Sequence, residues 1–547
     1  MIKFIKVNKG TAAALFILPV FLFLSVYFFK LAGGPYYLNY YDPGYVYLVN
    51  SINVMQFENV GHIDHPGTSL QIFGAVILKI LLFGKSEAQI LDAVFSNPES
   101  YLNILNKSLV LINCVALLAL GIFAYRKTKN LIFSLLIQLS VYISFEIYYG
   151  LVIFSPENFL ILSIILISGT LVYYVYDDNS DKHMLALAIT LGIVCGFGSV
   201  SKLNFVPMCL LPLLLLKGFR NKLIFVLASA ITFVIFFLPA ISNIGRFLKW
   251  SGNLTVNNGI HGKTALSGFD LALYLENIVT IFSKDIFFAT IFALIIIVLI
   301  YDLIVWRKDR SVQANLIHQK LRRVLWAVTI TMAFQVMIVA KNYLPYAQYY
   351  IIPALMLTIT GLAFLIPFMI GSMNVNRKSI CNMVYLSTFV LVLVFSVYEF
   401  TSSHKEASDF RDEALKINSL VKEINSTSVL VIPSVGTANE DCTLALCMMY
   451  GYSGKRTPMF QKEFSKRTSS KIFHNFWENK LFAISDSIDI GKEISGKDKI
   501  VMQLMPNTSA DMAVKCLKDD YDVTVTDKKL LMQNGNMETV YEFYLKQ

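Results

Sequence analysis

Asp42 stands in the run Asn39-Tyr40-Tyr41-Asp42-Pro43-Gly44, and a second polar cluster, Gly61-His62-Ile63-Asp64-His65-Pro66-Gly67, follows it. Pro and Gly directly after an Asp are turn residues, so the spacing predicts a carboxylate held in place at position 42. Such a group can serve as a general base, or it can simply bond its own turn. Asp64 and His65 precede Pro66-Gly67-Thr68. That reads either as a helix start or as a second acid beside a proton partner or metal ligand. Ser155-Pro156-Glu157-Asn158 opens an apolar run. Ser155 as cap, Pro156 at the first helical position and Glu157 near the positive helix end make a complete structural account. An ionisable residue at the edge of an apolar span is nevertheless a functional candidate by default. Lys202 interrupts an apolar stretch within Gly196-Phe197-Gly198-Ser199-Val200-Ser201-Lys202-Leu203-Asn204. A Lys there is costly unless paired, so it either meets Glu157 or binds a phosphate, and the small residues before it allow close helix packing. Lys341 and His261 adjoin apolar runs as well and read as phosphate-binding cations or as solvated loop residues. Asp42, Asp64, His65 and Glu157 can together ligate a divalent metal, although their spacing does not require one.

The elements that must position these groups are mostly membrane helices. Of 547 residues, 55% are hydrophobic and 15% charged, and the mean hydropathy is +0.58. Several apolar runs reach the roughly 20 residues needed to cross a bilayer. The net charge of +10 gathers in short loops between those runs, as the positive-inside rule expects, and is not a nucleic-acid signal. No Cys/His set has zinc spacing. Cys442 and Cys447 can form a local disulfide if the tail that holds them is extracytoplasmic.

The apolar run from Thr11 to Leu31, preceded by Lys3, Lys6 and Lys9, is longer than a signal-peptide core and reads as an uncleaved first span with a cytoplasmic N-terminus. Residues 33–104 form a first extracytoplasmic loop that contains Thr68 to Phe83, an apolar helix lying on the membrane surface with Lys79 reaching the headgroups. Further spans are expected at 107–125, 131–149, 159–176, 184–201, 203–216, 223–241, 286–305, 324–340, 349–370 and 380–398. The loop of residues 177–183 is the exception to the charge rule, with Asp177, Asp178 and Asp181 against Lys182. A second large loop, 242–285, carries Trp250, His261 and Lys263 and is too long for a plain connector. The fold class is thus mainly α, a polytopic membrane protein of about eleven transmembrane helices over residues 1–400, with a small extracytoplasmic α/β domain at 401–547. In that tail, Ala407 to Ile424 has helical periodicity, Ser428 to Ile432 and Lys499 to Leu504 read as strands, and Val540 to Leu545 pairs with the segment around Leu530 across Asn534-Gly535-Asn536.

In this order these stretches resemble the GT-C superfamily of integral membrane glycosyltransferases, in the branch of bacterial aminoarabinose transferases, protein O-mannosyltransferases and core-polysaccharide transferases. The resemblance covers residues 1–400. It implies that Asp42 is the catalytic base, that Pro66-Gly67 stands for the family's Pro-Pro, Glu157 for its fourth-span acid, Ser201-Lys202 for its Thr-Lys stretch, and Gln348-Tyr349-Tyr350 for its Arg-Tyr-Leu stretch. Pro43 replaces the second acid that often follows the first, and Gln348 replaces the Arg, which shifts the expected phosphate cation to Lys202, Lys341 or His261. Tyr349 is the late-span aromatic. The implied activity is inverting transfer of a sugar from a polyprenyl phosphate to an envelope lipid, glycan or protein, outside the inner membrane. No nucleotide loop is present and no nucleic-acid partner is implied; any cofactor is at most a divalent metal. A flippase of lipid-linked intermediates and a non-catalytic assembly subunit are the competing readings. The first requires an inverted repeat, which the sequence does not display; the second tolerates loss of the first-loop acid.

Overall fold

The computed structural model describes residues 8–39, 41–256, 270–308, 316–341, 348–371, 377–425, 429–433, 438–468, 472–475, 479–485, 487–506 and 508–546. Among these, nine helices are long and apolar enough to cross a membrane. They are Lys9–Gly33, Pro98–Thr128, Glu157–Tyr176, Met184–Ser201, Phe219–Thr255, Ile286–Ile304, Leu316–Lys341, Gln348–Ile370 and Ser379–Ile424. A tenth crossing is bent, Leu131–Val141 followed by Phe145–Val152 at 69°. The protein is a helical, multi-pass membrane protein with a small mixed sheet at its C-terminal end.

One of the eleven expected spans is irregular. Leu203 to Leu216 is a 3-10 turn, Leu203–Cys209, running into the short helix Leu210–Leu215. Pro207 removes a backbone donor there, yet the segment still joins the two ends of the bundle, with Lys202 on Glu157 beside the first loop and Lys217 on Asp181 among the basic loops. Thr68–Leu81 is short of a crossing. It buries Thr68, Gln71, Ala75 and Leu78 along one stripe while Lys79 is exposed, as expected of a helix that packs on one side only.

Gln348–Ile370 is the central helix: 94% of its apolar window is buried, against 22% for Ile286–Ile304 at the rim. At one end of the bundle the basic loops gather. Lys127 pairs with Asp177 there, Lys217 with Asp181, and Lys320 bonds the Asp177 carbonyl and the Ser180 hydroxyl. Two of the three acids of the 177–183 loop, Asp177 and Asp181, are thus engaged by cations from neighbouring loops. At the other end lie the first loop and the tail.

The last span does not stop at residue 400. One helix runs Arg377–Asn425, and its C-terminal turns place Ala414, Ile417 and Val421 against Leu430, Val501 and Val540 of the sheet. The sheet comprises β1 (Leu430–Pro433), β2 (Ile472–Asn475), β3 (Lys480–Ala483), β4 (Lys499–Leu504), β5 (Val525–Gln533) and β6 (Thr539–Leu545), in the order β3-β2-β1-β4-β6-β5. β1 is parallel to β2 and β4, with Val431 opposite Ile472 and Met502; the other pairs are antiparallel. Strand alternation divides β4 between two cores: Val501 faces the long helix, while Ile500, Met502 and Leu504 meet Ala513 and Leu517 of the helix Ala510–Tyr521. Cys442 and Cys447 are free thiols at the two ends of one short helix, so the local disulfide that the sequence left open is not formed.

The tail is anchored on the first loop. Asn50 and Asn53 donate to the carbonyls of Tyr452 and Ser453 at 3.0 and 2.9 Å, the Asn439 amide donates to Tyr37 O at 2.8 Å, and Arg456 pairs with Glu87. A Cβ on Gly61 would overlap the backbone of Tyr452 and Gly454, so this contact requires glycine.

Candidate functional site

Lys202 is where the helix Met184–Ser201 ends, because its backbone leaves the helical region (φ −159°, ψ 130°). The helix arrives there pressed against Phe219–Phe237: a Cβ on Gly192 would lie 2.6 Å from Ala228 Cβ and 2.7 Å from Phe225 O, the close approach its small residues predicted. The Lys202 side chain, 7% exposed, forms an ion pair with Glu157, 3% exposed. Its Nζ also sits 4.4 Å from the Tyr349 ring centre and 4.5 Å from that of Tyr350, within cation–π range. Of the two readings of Lys202, pairing with Glu157 is therefore present in the fold.

Glu157 is the first residue of Glu157–Tyr176 and profits from the positive helix end. The expected Ser155 cap is absent. Pro156 is the N-cap with no side-chain bond, and the Ser155 hydroxyl donates instead to Gly150 O at 3.3 Å. Asn158 Nδ2 donates to the same carbonyl at 2.7 Å and to Ile153 O at 2.9 Å. Polar side chains thus tie the bend before Glu157, and Gly150 lets it close: a Cβ there would meet Glu157 Cβ at 2.8 Å.

Tyr350 links this pair to the first loop. Its carbonyl accepts from Asn204 Nδ2 at 2.9 Å and Gln335 Nε2 at 2.8 Å, and its hydroxyl lies 3.2 Å from His65 Nε2. His65 takes a left-handed backbone, φ 55°, and its ring meets Trp250 edge-on at 4.9 Å. The loop is docked by the Gly67 amide on Val200 O at 3.2 Å and by the Ser69 and Ser201 hydroxyls 2.7 Å apart. Pro66-Gly67 does not supply a side-chain cap. Gly67 itself is the N-cap at φ 64°, and a Cβ there would lie 2.6 Å from the Tyr47 hydroxyl. Trp250 lies on the amphipathic helix Ile244–Val256, and its Nε1 is buried without an acceptor among the described residues.

The fold thus gathers Lys202, Glu157, Tyr349 and His65, with Asp64 half-buried in the same loop. Lys341 ends Leu316–Lys341 and donates to the carbonyls of Leu254 and Thr255, on the helix that carries Trp250. His261 lies outside the described residues. Asp42 is in the helix Tyr41–Met55, and its side chain lies outside the described residues. The turn expected at Asp42-Pro43-Gly44 is instead the first turn of that helix, where Pro costs no helical hydrogen bond. A Cβ on Gly44 would approach the Tyr36 ring to 3.0 Å, so Gly44 serves packing. Gln348, which stands where an Arg was expected, is held by Asp285 through a 2.5 Å bond from its Nε2. Burial raises the Asp285 carboxyl above its usual range, against the bonds from Gln348 and Ser144 that lower it. Among the described residues no three His, Cys, Asp or Glu side chains converge to hold a metal, and Glu157 is already engaged by Lys202.

Tyr350, Trp250 and Asn204 stand in stretches named from sequence without a role of their own, and Gln335 is not named there. The available signal was Asn204 and Gln335 themselves, amides within or beside apolar runs that need internal partners.

No protein-family model matches the chain, and no curated protein does. Among solved structures the chain is similar to ArnT from Cupriavidus metallidurans bound to undecaprenyl phosphate, at 13% identity and a TM-score of 0.47 over 96% of this chain and 97% of that one. It is similar to the same protein in the apo state at 12% identity and a TM-score of 0.45, with the same coverage of 96% and 97%. At these identities the likeness concerns the fold alone.

Proposed function

We propose that the chain is a membrane glycosyltransferase that moves a sugar from a polyprenyl-phosphate donor to an envelope lipid, glycan or protein. The observation that carries this reading is the buried Lys202–Glu157 pair, roofed by Tyr349 and Tyr350 and joined through Tyr350 to the His65 loop. Charges in an apolar bundle are costly and persist where they are paired or used. This pair lies where two helix ends and the first loop meet, with the amphipathic helix Ile244–Val256 reaching it through Trp250 on His65.

In this proposal the Asp42 carboxylate takes the acceptor hydroxyl proton, and the acceptor oxygen attacks the anomeric carbon. The anomeric carbon–oxygen bond breaks, and the electron pair leaves with the polyprenyl phosphate. Displacement from the opposite face inverts configuration. Lys202 carries the positive charge that offsets the departing phosphate, Trp250 Nε1 is an unused donor in the same wall, and Lys341 and His261 are the further donor-side cations. Asp64 and His65 shape the acceptor side. The basic end of the bundle then faces the cytoplasm by the positive-inside rule, with the first loop and the tail outside. A Cys placed in the tail is then labelled in intact cells; labelling only after the inner membrane is permeabilised reverses the orientation.

Mass spectrometry of lipid-linked sugars and envelope glycans from cells with and without the protein tests the activity. Loss of one glycan substituent with accumulation of one polyprenyl-phosphate sugar is expected. Unchanged profiles in both pools overturn the reading.

A further inference from the structure

The helix Leu316–Lys341 places Gln319, Arg322, Arg323, Trp326 and Ile330 at helical spacing along one face, and Leu214 of the short helix Leu210–Leu215 stands opposite. Between them is a cavity of about 520 Å³ on the flank of the bundle. It belongs to the basic end, where Arg323 meets Tyr174, and not to the first-loop end that holds the Lys202–Glu157 pair. Its lining is graded. Leu214 and Ile330 are exposed aliphatic side chains, Trp326 is half-buried, and the arginines stand toward the helix start.

The two arginines differ. Arg322 is held in a two-point pair by Asp302, with Nε–Oδ2 at 2.7 Å and Nη2–Oδ1 at 3.0 Å. Arg323 is exposed and makes no ion pair among the described residues; its Nη1 is 3.4 Å from the Tyr174 hydroxyl. The nearby acids Asp177 and Asp181 are already paired with Lys127 and Lys217. The mouth therefore carries positive charge, and the wall beyond it passes from indole to aliphatic. That is the order of phosphate, glycerol region and acyl chain in a membrane lipid, and Arg matches phosphate with a planar fork of donors.

We propose that this cavity binds an anionic glycerophospholipid, with Arg323 on its phosphate, Trp326 at the glycerol level and the acyl chains along Leu214 and Ile330. The assignment is independent of the sugar-transfer reading.

Native mass spectrometry of the full chain in detergent tests it, with phosphatidylglycerol titrated against phosphatidylcholine of the same chains. Wild type should retain phosphatidylglycerol preferentially. Arg323→Gln should weaken that preference about fivefold, the worth of one basic side chain at a membrane surface. Arg323→Lys should keep most of it, and Arg411→Gln, in the tail, all of it. Equal retention of the two lipids by wild type, or an unchanged preference in Arg323→Gln, overturns the proposal. Displacement of the lipid by millimolar inorganic phosphate also overturns it, since the site would then take a free anion.

Discussion

Replacing Glu157 by Gln keeps its volume and removes its charge, leaving the Lys202 ammonium buried beside two tyrosine rings. Both side chains of the pair are under a tenth exposed, at 7% and 3%. Breaking such a pair from one side costs about 3–5 kcal/mol, because the surviving charge is uncompensated. The rings at 4.4 and 4.5 Å still receive the ammonium and retain about 1–2 kcal/mol of its stabilisation. The expected cost of Glu157→Gln is therefore about 3 kcal/mol. Lys202→Met strands the carboxylate instead, at a similar cost. The double variant removes both charges and should be no worse than either single one, because neutral replacement of a buried pair is often harmless. Heat-inactivation half-lives of the purified chain in one detergent are the assay. Each single variant should shorten the half-life by about a hundredfold at most, if the pair is already broken in the unfolding transition state. Additive losses in the double variant would mean that the two residues do not sustain one another. If the double variant is as stable as wild type yet transfers no sugar, the pair is kept for binding and not for the fold.

Gly67→Ala should destabilise the chain by about 2 kcal/mol or more, since a left-handed backbone is strained for alanine and the new Cβ meets the Tyr47 hydroxyl; a melting profile equal to wild type would contradict this. Gly61→Ala should push the Tyr450–Arg456 segment off the first loop and raise the rate at which protease cuts the tail, without altering detergent extraction of the spans. Glu538 is buried and its carboxyl is raised to about 7, chiefly by desolvation against bonds from the Ala438 amide and Gln503. A raised acid favours the folded state at low pH and loses that contribution as pH climbs from its unfolded value through about 7. Glu538→Gln should therefore stabilise the tail, with an advantage that grows several-fold between pH 5 and pH 8 and approaches roughly 3 kcal/mol; thermal unfolding across that range checks it, and a constant difference would show that Glu538 does not titrate there.

The spans were legible because apolar length is a direct reading of bilayer thickness, and the charge gradient of the loops showed which ends group together. The segment around Leu210 does join the two ends of the bundle, but its hydropathy hid that Pro207 and Pro212 make it two short pieces. In the tail, β4 and the β5–β6 hairpin carry recognisable strand patterns and a turn signal. β2 and β3 have four residues each, and they are strands because β1 offers Ile472 and Phe473 a parallel edge, a tertiary fact. Asp42-Pro43-Gly44 looked like a turn because its local chemistry favours one. The packing of Tyr36 on Gly44 and of the helix Tyr41–Met55 against its neighbours decided otherwise. At the site, Lys202 and Glu157 were visible since charge within apolar sequence needs a reason. Tyr350 was named only with its neighbours, because a chain with 28 Tyr and 41 Phe gives no ground for preferring one ring over another, and Trp250 only as part of its loop, because its contact with His65 is a tertiary fact.

The central proposal places sugar transfer on Asp42. Cells lacking the protein, supplied with either the wild-type chain or Asp42→Asn at equal membrane abundance, test that most directly when the affected envelope glycan is quantified. Wild type should restore the sugar substituent and Asp42→Asn should leave it missing while the lipid-linked donor accumulates. Restoration by Asp42→Asn at the wild-type rate would contradict the assignment of the base.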